Sequence, residues 1–360
     1  MRAVTIAVPV ALLAIPLLAT GWWRWAFLPL RIRSARMNIE QLGLTVGPAD
    51  RERVQGILSS FAGGFNAMIS RPTWSGWQRY CAGLPVFYRP FAHEGAAMGY
   101  TPRRLFRYRP EEFEAWVVRP RPEMRYLYYV GLGFWSAMRH HDPRRLANII
   151  EGLDPLHGYL CYDGYGFKHG FFDYLKNPGI VRRFEVLEGY ARNVAYQGLG
   201  RAFWFLFMGD HDVLLERMGA LGGYARDAAG GLGLAAVFVN PDQLEVALEL
   251  GKELPAEWHE DFHVGMCFGL KARSINDVEQ FERDMGRLDP QVREAVFASV
   301  RECDRIELQV RAERGPDAYR NWRRRVAQWM AGHIVFPLAG LKSASEPLRR
   351  DVGRSPTYLN

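Results

Sequence analysis

Two histidines in the last third of the sequence have the spacing of a zinc site. The segment His259-Glu-Asp-Phe-His263 fits the pattern His-Glu-x-x-His. On a helix this spacing puts two imidazoles on one face, beside a glutamate able to polarise a bound water. Glu279 or Glu282 could supply a third ligand from the following helix. The pattern keeps open a zinc-dependent hydrolase with His259 and His263 as metal ligands.

A second group of polar residues stands at corresponding places, each directly before a glycine: Glu94, Asp163 and Gln197. If the segments that carry them stack in register, the three side chains face the same side. Removal from water would raise the pKa of such carboxyls and suit them to acid catalysis. We predict these three as catalytic residues. The aromatic residues close to them in sequence are predicted to bind substrate: Tyr162, Phe167, Tyr196 and Trp204. In the alternative interpretation, each polar side chain only caps or hydrogen-bonds a neighbouring turn.

The glycines themselves recur with a nearly constant spacing. Six Gly-centred segments lie between Gly95 and Gly265, separated by 36, 33, 34, 33 and 34 residues, and an earlier copy begins at Phe61. A period near 34 residues is the length of two helices and two turns. We therefore predict an all-α protein with an array of about seven or eight α-hairpins, each made of a shorter helix and a longer, Gly-bearing helix.

Glycine inside a helix costs about 0.5–1 kcal/mol relative to alanine, so its repetition needs an offsetting gain. Close packing of neighbouring backbones is one interpretation, and a face lining a cavity for a bulky ligand is the other. Polar residues mark several helix starts. Asp210 is expected to cap a helix that begins near Val213, Asn240 to cap one that begins at Pro241, and Asn276-Asp277 to start the next.

The N-terminus contains an uncharged apolar run from Val4 to Trp23. Its 20 residues are long enough to cross a bilayer core of roughly 30 Å. Arginines follow the run, so the positive-inside rule places the C-terminal body in the cytoplasm. We predict a single-pass protein of the cytoplasmic membrane, in contact with membrane lipid. A cleaved signal peptide, with a site at Ala19-Thr-Gly21, is the alternative.

Four parts are predicted along the chain: a membrane anchor at 1–30, a connecting segment at 31–54, a helical-repeat domain at 55–312 and a basic tail at 313–360. The tail either lies on the membrane or forms a capping helix. Hydrophobic residues make up 48% of the chain, which excludes a disordered protein. The net charge of +7 comes from dispersed arginines without a nucleic-acid-binding module, so we predict no nucleic-acid partner. The four cysteines lie far apart and are expected to be reduced and buried: Cys81, Cys161, Cys267 and Cys303.

Two Gly-centred segments carry a resemblance to a known family. They are Phe91-Ala-His-Glu-Gly-Ala-Ala-Met-Gly and Tyr190-Ala-Arg-Asn-Val-Ala-Tyr-Gln-Gly-Leu-Gly-Arg-Ala-Phe-Trp. From about Arg31 to about Ala312 the chain resembles a bacterial family of unknown-function proteins encoded beside enediyne polyketide synthases. The resemblance implies a role in maturing a long polyene made by an iterative synthase. It brings no catalytic residues with it, and the apolar N-terminus departs from the soluble-looking start expected of that family.

Together these observations predict a membrane-anchored protein of natural-product biosynthesis, of the enediyne-type polyketide kind. It would bind or convert a long apolar polyene or lipid-like intermediate and contact other biosynthetic proteins. Two alternatives stay open: a helical-repeat scaffold for protein interactions, and the zinc-dependent hydrolase, whose cofactor would be zinc. The sequence does not decide whether the protein is an enzyme.

Overall fold

The computed structural model describes residues 30–33, 36–71, 73–104, 107–139, 143–315 and 317–331. About 79% of the structure is helical, and no strand occurs among the described residues. The predicted all-α class is confirmed. The apolar run from Val4 to Trp23 lies outside the described residues, as does the chain after residue 331. Within the described part, no helix is both long enough and apolar enough to span a bilayer.

The first half of the described chain alternates longer and shorter helices. They are α1 (Ile39–Leu42), α2 (Arg51–Ser70), α3 (Trp74–Ala82), α4 (Arg89–Met98), α5 (Tyr100–Arg103), α6 (Pro110–Phe113), α7 (Arg125–Arg139), α8 (Arg144–Ile150) and α9 (Leu160–Lys168). Two π-helical segments, Glu114–Val118 and His169–Asp173, directly continue α6 and α9.

The second half continues the alternation. Its helices are α10 (Ala191–Phe207), α11 (His211–Gly219), α12 (Ala225–Val239), α13 (Leu244–Glu253), α14 (His259–Asn276), α15 (Val278–Met285), α16 (Pro290–Glu313) and α17 (Ala318–Ala331). Short 3-10 turns directly precede several of the Gly-bearing helices, for example Gly222–Tyr224 before α12 and Ala256–Trp258 before α14.

The Gly-bearing helices pack side by side in chain order. The sequence of neighbours is α2, α4, α7, α9, α10, α12 and α14, and α16 follows on α14. Helix α17 then packs against both α14 and α16. Each of these helices therefore has its chain neighbours as its main packing partners.

Glycine makes this packing close enough for backbones to touch. A Cβ added at Gly131 in α7 would overlap the carbonyl oxygen of Glu94 in α4, and one added at Gly133 would overlap that of Cys161 in α9. In the other Gly-bearing helices the first glycine meets the preceding helix in the same way: Gly95, Gly164, Gly198, Gly231 and Gly265. The second glycine meets the following helix: Gly166, Gly200 and Gly233. The close-packing interpretation of the glycines is confirmed.

Helices far apart in sequence also meet, along a contact line that we call the seam. Arg53 in α2 donates to the Val239 carbonyl (3.1 Å) and to both carboxylate oxygens of Asp242 (2.8 Å each). Arg273 in α14 donates to the Phe87 carbonyl (3.2 Å), and Asn276 donates to the Glu123 carbonyl (2.7 Å). The early and late helices therefore close on each other around a shared interior.

Two of the predicted helix starts are confirmed and one is wrong. Asp210 accepts a hydrogen bond from the Val213 N–H (3.1 Å), and Asp277 accepts one from the Gln280 N–H (2.9 Å). Asn240 instead ends α12, because its side-chain amide donates back to the Ala236 carbonyl (3.1 Å) while its oxygen accepts from Arg53. Helix α13 begins only at Leu244.

The described part of the predicted tail is a packed helix. In α17, Tyr319, Trp322 and Arg323 are buried, whereas Arg320 and Arg324 remain exposed. The Trp322 indole donates to the Cys303 carbonyl (3.0 Å), which fixes α17 on α16. These contacts favour the capping-helix interpretation. All four cysteines are free and buried, as predicted.

Candidate functional site

The residues before the first glycines form a row that crosses the packed helices, here called the pre-glycine row. Gly131 lies against the carbonyl of Glu94, Gly198 against that of Asp163, and Gly231 against that of Gln197. The glycine contacts thus align neighbouring helices to within a residue. The row consists of the five such residues whose carbonyls meet the first glycine of the next helix: Glu94, Val130, Asp163, Gln197 and Gly230.

Arg201 joins the polar members of this row. It lies one turn after Gln197 on α10, and its guanidinium pairs directly with the Asp163 carboxylate. Its other terminal nitrogen is 3.8 Å from Oε1 of Glu94. Gln197 also donates to Asp163 (2.7 Å). All four side chains are buried, so the structure brings together the three predicted site residues around a cation.

Helix α17 completes the cluster with two further side chains. The Gln197 amide nitrogen lies 3.2 Å from the Tyr319 hydroxyl, and Arg323 donates to the Gln197 amide oxygen (2.5 Å). The Arg323 guanidinium occupies the space that a Cβ at Gly230 would need. Gly230 is therefore the row position that admits Arg323 to the interior.

Glu94 is the member whose protonation state is open at neutral pH. Its Oε1 is buried without a hydrogen-bond partner among the described residues. Burial raises the pKa of Glu94 to about 7, although the Arg201 charge opposes the rise and Asp163 adds to it. Burial acts to lower the pKa of Arg201, but the Asp163 and Glu94 carboxylates outweigh it and raise that pKa. Arg201 therefore stays charged while Glu94 can gain or lose a proton near pH 7.

Two apolar cavities adjoin the cluster, and Arg201 lines both. The first inner cavity has a volume of about 50 Å³ and the second one of about 40 Å³. Asp163, Tyr319 and mainly apolar side chains line the first, including Tyr126, Phe238, Phe268, Ala272 and Trp322. Glu94 and a set of phenyl rings line the second, including Phe61, Phe91, Phe134, Phe167 and Phe205.

One of the predicted aromatic residues lines an inner cavity, and the other three are packed elsewhere among the helices. Phe167 lines the second inner cavity, and its ring centroid is 4.9 Å from the Arg201 guanidinium carbon. Tyr162, Tyr196 and Trp204 are buried but do not line either inner cavity. The Tyr196 ring stacks on Tyr224 with centroids 4.2 Å apart. Of the four predicted substrate contacts, only Phe167 has a cavity position.

The two histidines of the zinc pattern lie on one face of α14. Their ring centroids are 6.2 Å apart, and Nε2 of His259 donates to the Leu254 carbonyl (2.9 Å). No group of three or more His, Cys, Asp or Glu residues suited to a metal occurs in the part of the chain that the structure describes. The Glu279 side chain is 87% exposed. Among the described residues, the two histidines therefore have no third ligand beside them.

Arg201, Tyr319 and Arg323 belong to the cluster but were not predicted from the sequence. A signal existed for Arg201, because two buried acids in one row require a cation and Arg201 lies four residues after Gln197 on the same helix face. Tyr319 and Arg323 are 122 and 126 residues from Gln197. A second buried network was also missed: the Tyr126 hydroxyl donates to Glu307 (2.9 Å), whose other oxygen is 3.2 Å from Nε2 of His157.

The chain belongs to DUF1702, a family described as proteins of unknown function, whose model matches residues 22–330. No curated protein matches the chain. No solved structure matches it either. The family match therefore covers almost the whole described helical body and assigns it no activity.

Proposed function

We propose that this member of the DUF1702 family binds an apolar polyene or lipid-like molecule in its aromatic interior and converts it through Glu94. The observation that carries the proposal is a buried carboxyl with a pKa of about 7 beside cavities lined by aromatic rings. A carboxyl of this kind is partly protonated at neutral pH and can act as an acid towards an apolar group.

The cluster supports a reaction in which one proton leaves and returns. Protonated Glu94 would transfer its proton to a carbon of a double bond, whose electron pair forms the new C–H bond. The cation left on the neighbouring carbon would be stabilised by the faces of the surrounding phenyl rings. Loss of a proton from the next carbon to the Glu94 carboxylate would then give a shifted double bond. This isomerisation balances without another reactant.

Entry of a ligand requires the packed rings to separate. Cavities of about 50 and 40 Å³ hold little more than one water molecule each, whose share of liquid volume is about 30 Å³. The seam is the natural place for this opening, because it is formed by hydrogen bonds between helices that are distant in sequence. We propose that the seam opens to admit the ligand and closes over it.

Features of the sequence support the proposed ligand class, partners, membrane anchor and repeat. The resemblance to proteins encoded beside enediyne polyketide synthases supports a long polyene as the ligand and biosynthetic proteins as partners. The apolar run from Val4 to Trp23 supports a single membrane anchor with the helical body in the cytoplasm. The glycine contacts that recur from α4 to α14 support a repeating unit of about 34 residues, with seven or eight hairpins in all.

A protein-interaction scaffold ranks below this proposal. Helical-repeat scaffolds present an extended concave surface to their partners. Here the early and late helices meet at the seam, and α17 places Tyr319 and Arg323 in the interior between them. The zinc hydrolase ranks lower still, because its third ligand is missing among the described residues.

Fluorescence titration with the methyl ester of parinaric acid, an uncharged polyene, tests the binding proposal. We expect saturable binding to the full-length protein. Ala272→Phe should abolish it, because Ala272 lines the first inner cavity and a ring there would fill the space. Ala312→Phe makes the same change at an exposed helical position and should bind like the wild type. Absence of saturable binding, or equal binding by both variants, would overturn the proposal.

Pathway output in a producing bacterium tests the conversion step. Glu94→Gln should abolish formation of the mature product, because an amide cannot donate the proton. Asp163→Asn should reduce it by weakening the hold on Arg201. The matched change Glu294→Gln, at an exposed position on α16, should leave output unchanged. Unchanged output from a folded Glu94→Gln protein would refute the acid role of Glu94.

A further inference from the structure

A third cavity, much larger than the two inner ones, lies outside the cluster, along the seam. This outer cleft has a volume of about 500 Å³. Its wall combines aromatic rings with charged and amide side chains, among them Arg53, Phe87, Tyr88, Arg273, Asn276 and Arg287. A cleft of this size and mixed character is typical of small-molecule sites.

Arg273 is a buried cation in this wall, and it has no ion pair with any residue that the structure describes. Its side chain is only 7% exposed. Three of its N–H groups donate to carbonyls, two of them to Phe238 (2.7 and 2.5 Å) and one to Phe87 (3.2 Å). Burial lowers its pKa to about 9, although the Asp284 charge opposes this. A guanidinium has five N–H donors, so a bound anion would find two still available.

Asn276 adds a buried acceptor three residues further along α14. Its residue is 8% exposed, and its Oδ1 has no hydrogen-bond partner among the described residues. The amide nitrogen donates to the Glu123 carbonyl, which fixes the orientation of the group. Asn276 lines the cleft, so this buried oxygen is an unsatisfied acceptor beside it that a hydroxyl or N–H donor of a ligand would satisfy.

The carboxylates of the cleft already have partners of their own. Asp242 pairs with Arg53, Asp277 accepts the Gln280 backbone N–H, and Asp284 accepts the Gln280 side-chain amide. Arg287 is exposed at the rim and adds a second positive charge. Asp277 and Asp284 keep their negative charges, since their partners are neutral amides, but no carboxylate of the described residues pairs directly with Arg273 or Arg287. A carboxylate of the ligand would supply that ion pair.

Arg273 also forms the wall between the outer cleft and the interior. Its guanidinium carbon lies 4.1 Å from the ring centroid of Phe238 and 5.4 Å from that of Phe91. Phe238 lines the first inner cavity, and Phe91 lines the second. These two rings therefore connect Arg273 with both inner cavities, the second of which Glu94 lines.

We infer that the outer cleft binds the carboxylate end of the apolar molecule, which makes the ligand a long-chain hydroxy acid. The carboxylate pairs with Arg273, a hydroxyl near it donates to Oδ1 of Asn276, and the chain runs inward past Phe238 and Phe91. This inference rests on the proposed function, since the tail has to occupy the aromatic interior.

Comparison of parinaric acid with its methyl ester separates the contribution of the carboxylate from that of the apolar chain. We expect the acid to bind at least tenfold more tightly than the ester, because charge-assisted hydrogen bonds to a guanidinium are strong. Arg287→Glu should weaken binding of the acid several-fold and leave the ester unaffected. Arg283→Glu makes the same charge change at an exposed position that does not line the cleft, and should change neither.

Two further comparisons test the named residues. Arg273→Gln should remove the preference for the acid over the ester. If the Arg273→Gln protein does not fold, Arg287→Glu tests the same inference. A 3-hydroxytetradecanoate competitor should displace parinaric acid at lower concentration than tetradecanoate, because only the former supplies a donor for Asn276. Equal binding of acid and ester by the wild type would overturn the head-group inference while the proposed function stands. Failure of both probes to bind would overturn the two together.

Discussion

Glu94 and Asp163 are two buried carboxyls beside a single buried cation, Arg201. Asp163 takes the direct ion pair, and Glu94 is left at 3.8 Å from the same guanidinium. Burial raises the pKa of Glu94 to about 7, and the Arg201 charge at this distance opposes the rise only in part. At the scale of single residues, the aromatic interior therefore contains one carboxyl, Glu94, that is partly protonated at neutral pH.

The raised pKa of Glu94 makes stability depend on pH. A carboxyl with a higher pKa in the folded state stabilises the fold while it is protonated. This stabilisation is complete below the unfolded pKa, near 4.5, and is lost as the pH rises through the folded pKa of about 7. Relative to Glu94→Gln, the wild type should lose roughly 3 kcal/mol of unfolding free energy between pH 4 and pH 8. Urea unfolding at a series of pH values measures this. Parallel curves for the two proteins would show that Glu94 titrates normally.

Removal of the cation should be far more costly than removal of a surface charge. Arg201→Leu leaves the Asp163 carboxylate buried without its partner and should lower the free energy of unfolding by about 3–5 kcal/mol. Adding Asp163→Asn should recover part of this loss. Arg226→Leu breaks an exposed pair with Asp261 and should cost less than about 1 kcal/mol. Similar losses for Arg201→Leu and Arg226→Leu would contradict the buried ion pair.

At the scale of helices, the glycines determine which side chains meet. From Gly131 to Gly265, each first glycine receives the carbonyl of a row residue from the helix before it, so the row is aligned by backbone contact rather than by the polar groups. The recurring Gly-x-Gly segments allowed helices and the shared face of Glu94, Asp163 and Gln197 to be predicted from sequence. Arg323 could not be predicted in this way, because it reaches Gly230 from a helix outside the repeat.

Alanine at Gly198 tests this alignment. A methyl group there would overlap the backbone of Asp163 in α9, so Gly198→Ala should lower the free energy of unfolding by about 1–3 kcal/mol or more. Gly219→Ala, at the end of α11, places the methyl group in open space and should change it by less than about 1 kcal/mol. Thermal unfolding followed by circular dichroism compares the two. Equal midpoints would argue against backbone contact at Gly198.

At the scale of the whole molecule, closure of the helical body is the feature that sequence could not supply. The period of 33 to 36 residues describes neighbouring helices only. The seam joins residues 153 to 189 positions apart, through single side chains such as Arg53 and Asn276 that no local pattern marks. The same long-range bond to Arg53 made the N-cap prediction for Asn240 wrong.

Opening of the seam should be measurable. Arg53→Ala removes the paired hydrogen bonds to Asp242 and should lower the free energy of unfolding by roughly 1–3 kcal/mol. Hydrogen exchange should increase in α2 and at residues 239–242, and an apolar probe should bind faster. Arg51→Ala, whose pair with Glu40 is half-exposed, serves as the control and should leave exchange unchanged. Unchanged exchange in Arg53→Ala would show that closure does not depend on this contact.

The most direct test of the interior as a binding site is native mass spectrometry of the full-length protein, purified gently from a producing bacterium. The wild type should retain one apolar organic molecule per chain. The Ala272→Phe protein, prepared in parallel, should give the mass of the bare polypeptide because its first inner cavity is filled. Identical spectra for the two proteins, either both bare or both carrying the same adduct, would contradict an apolar ligand in the aromatic interior.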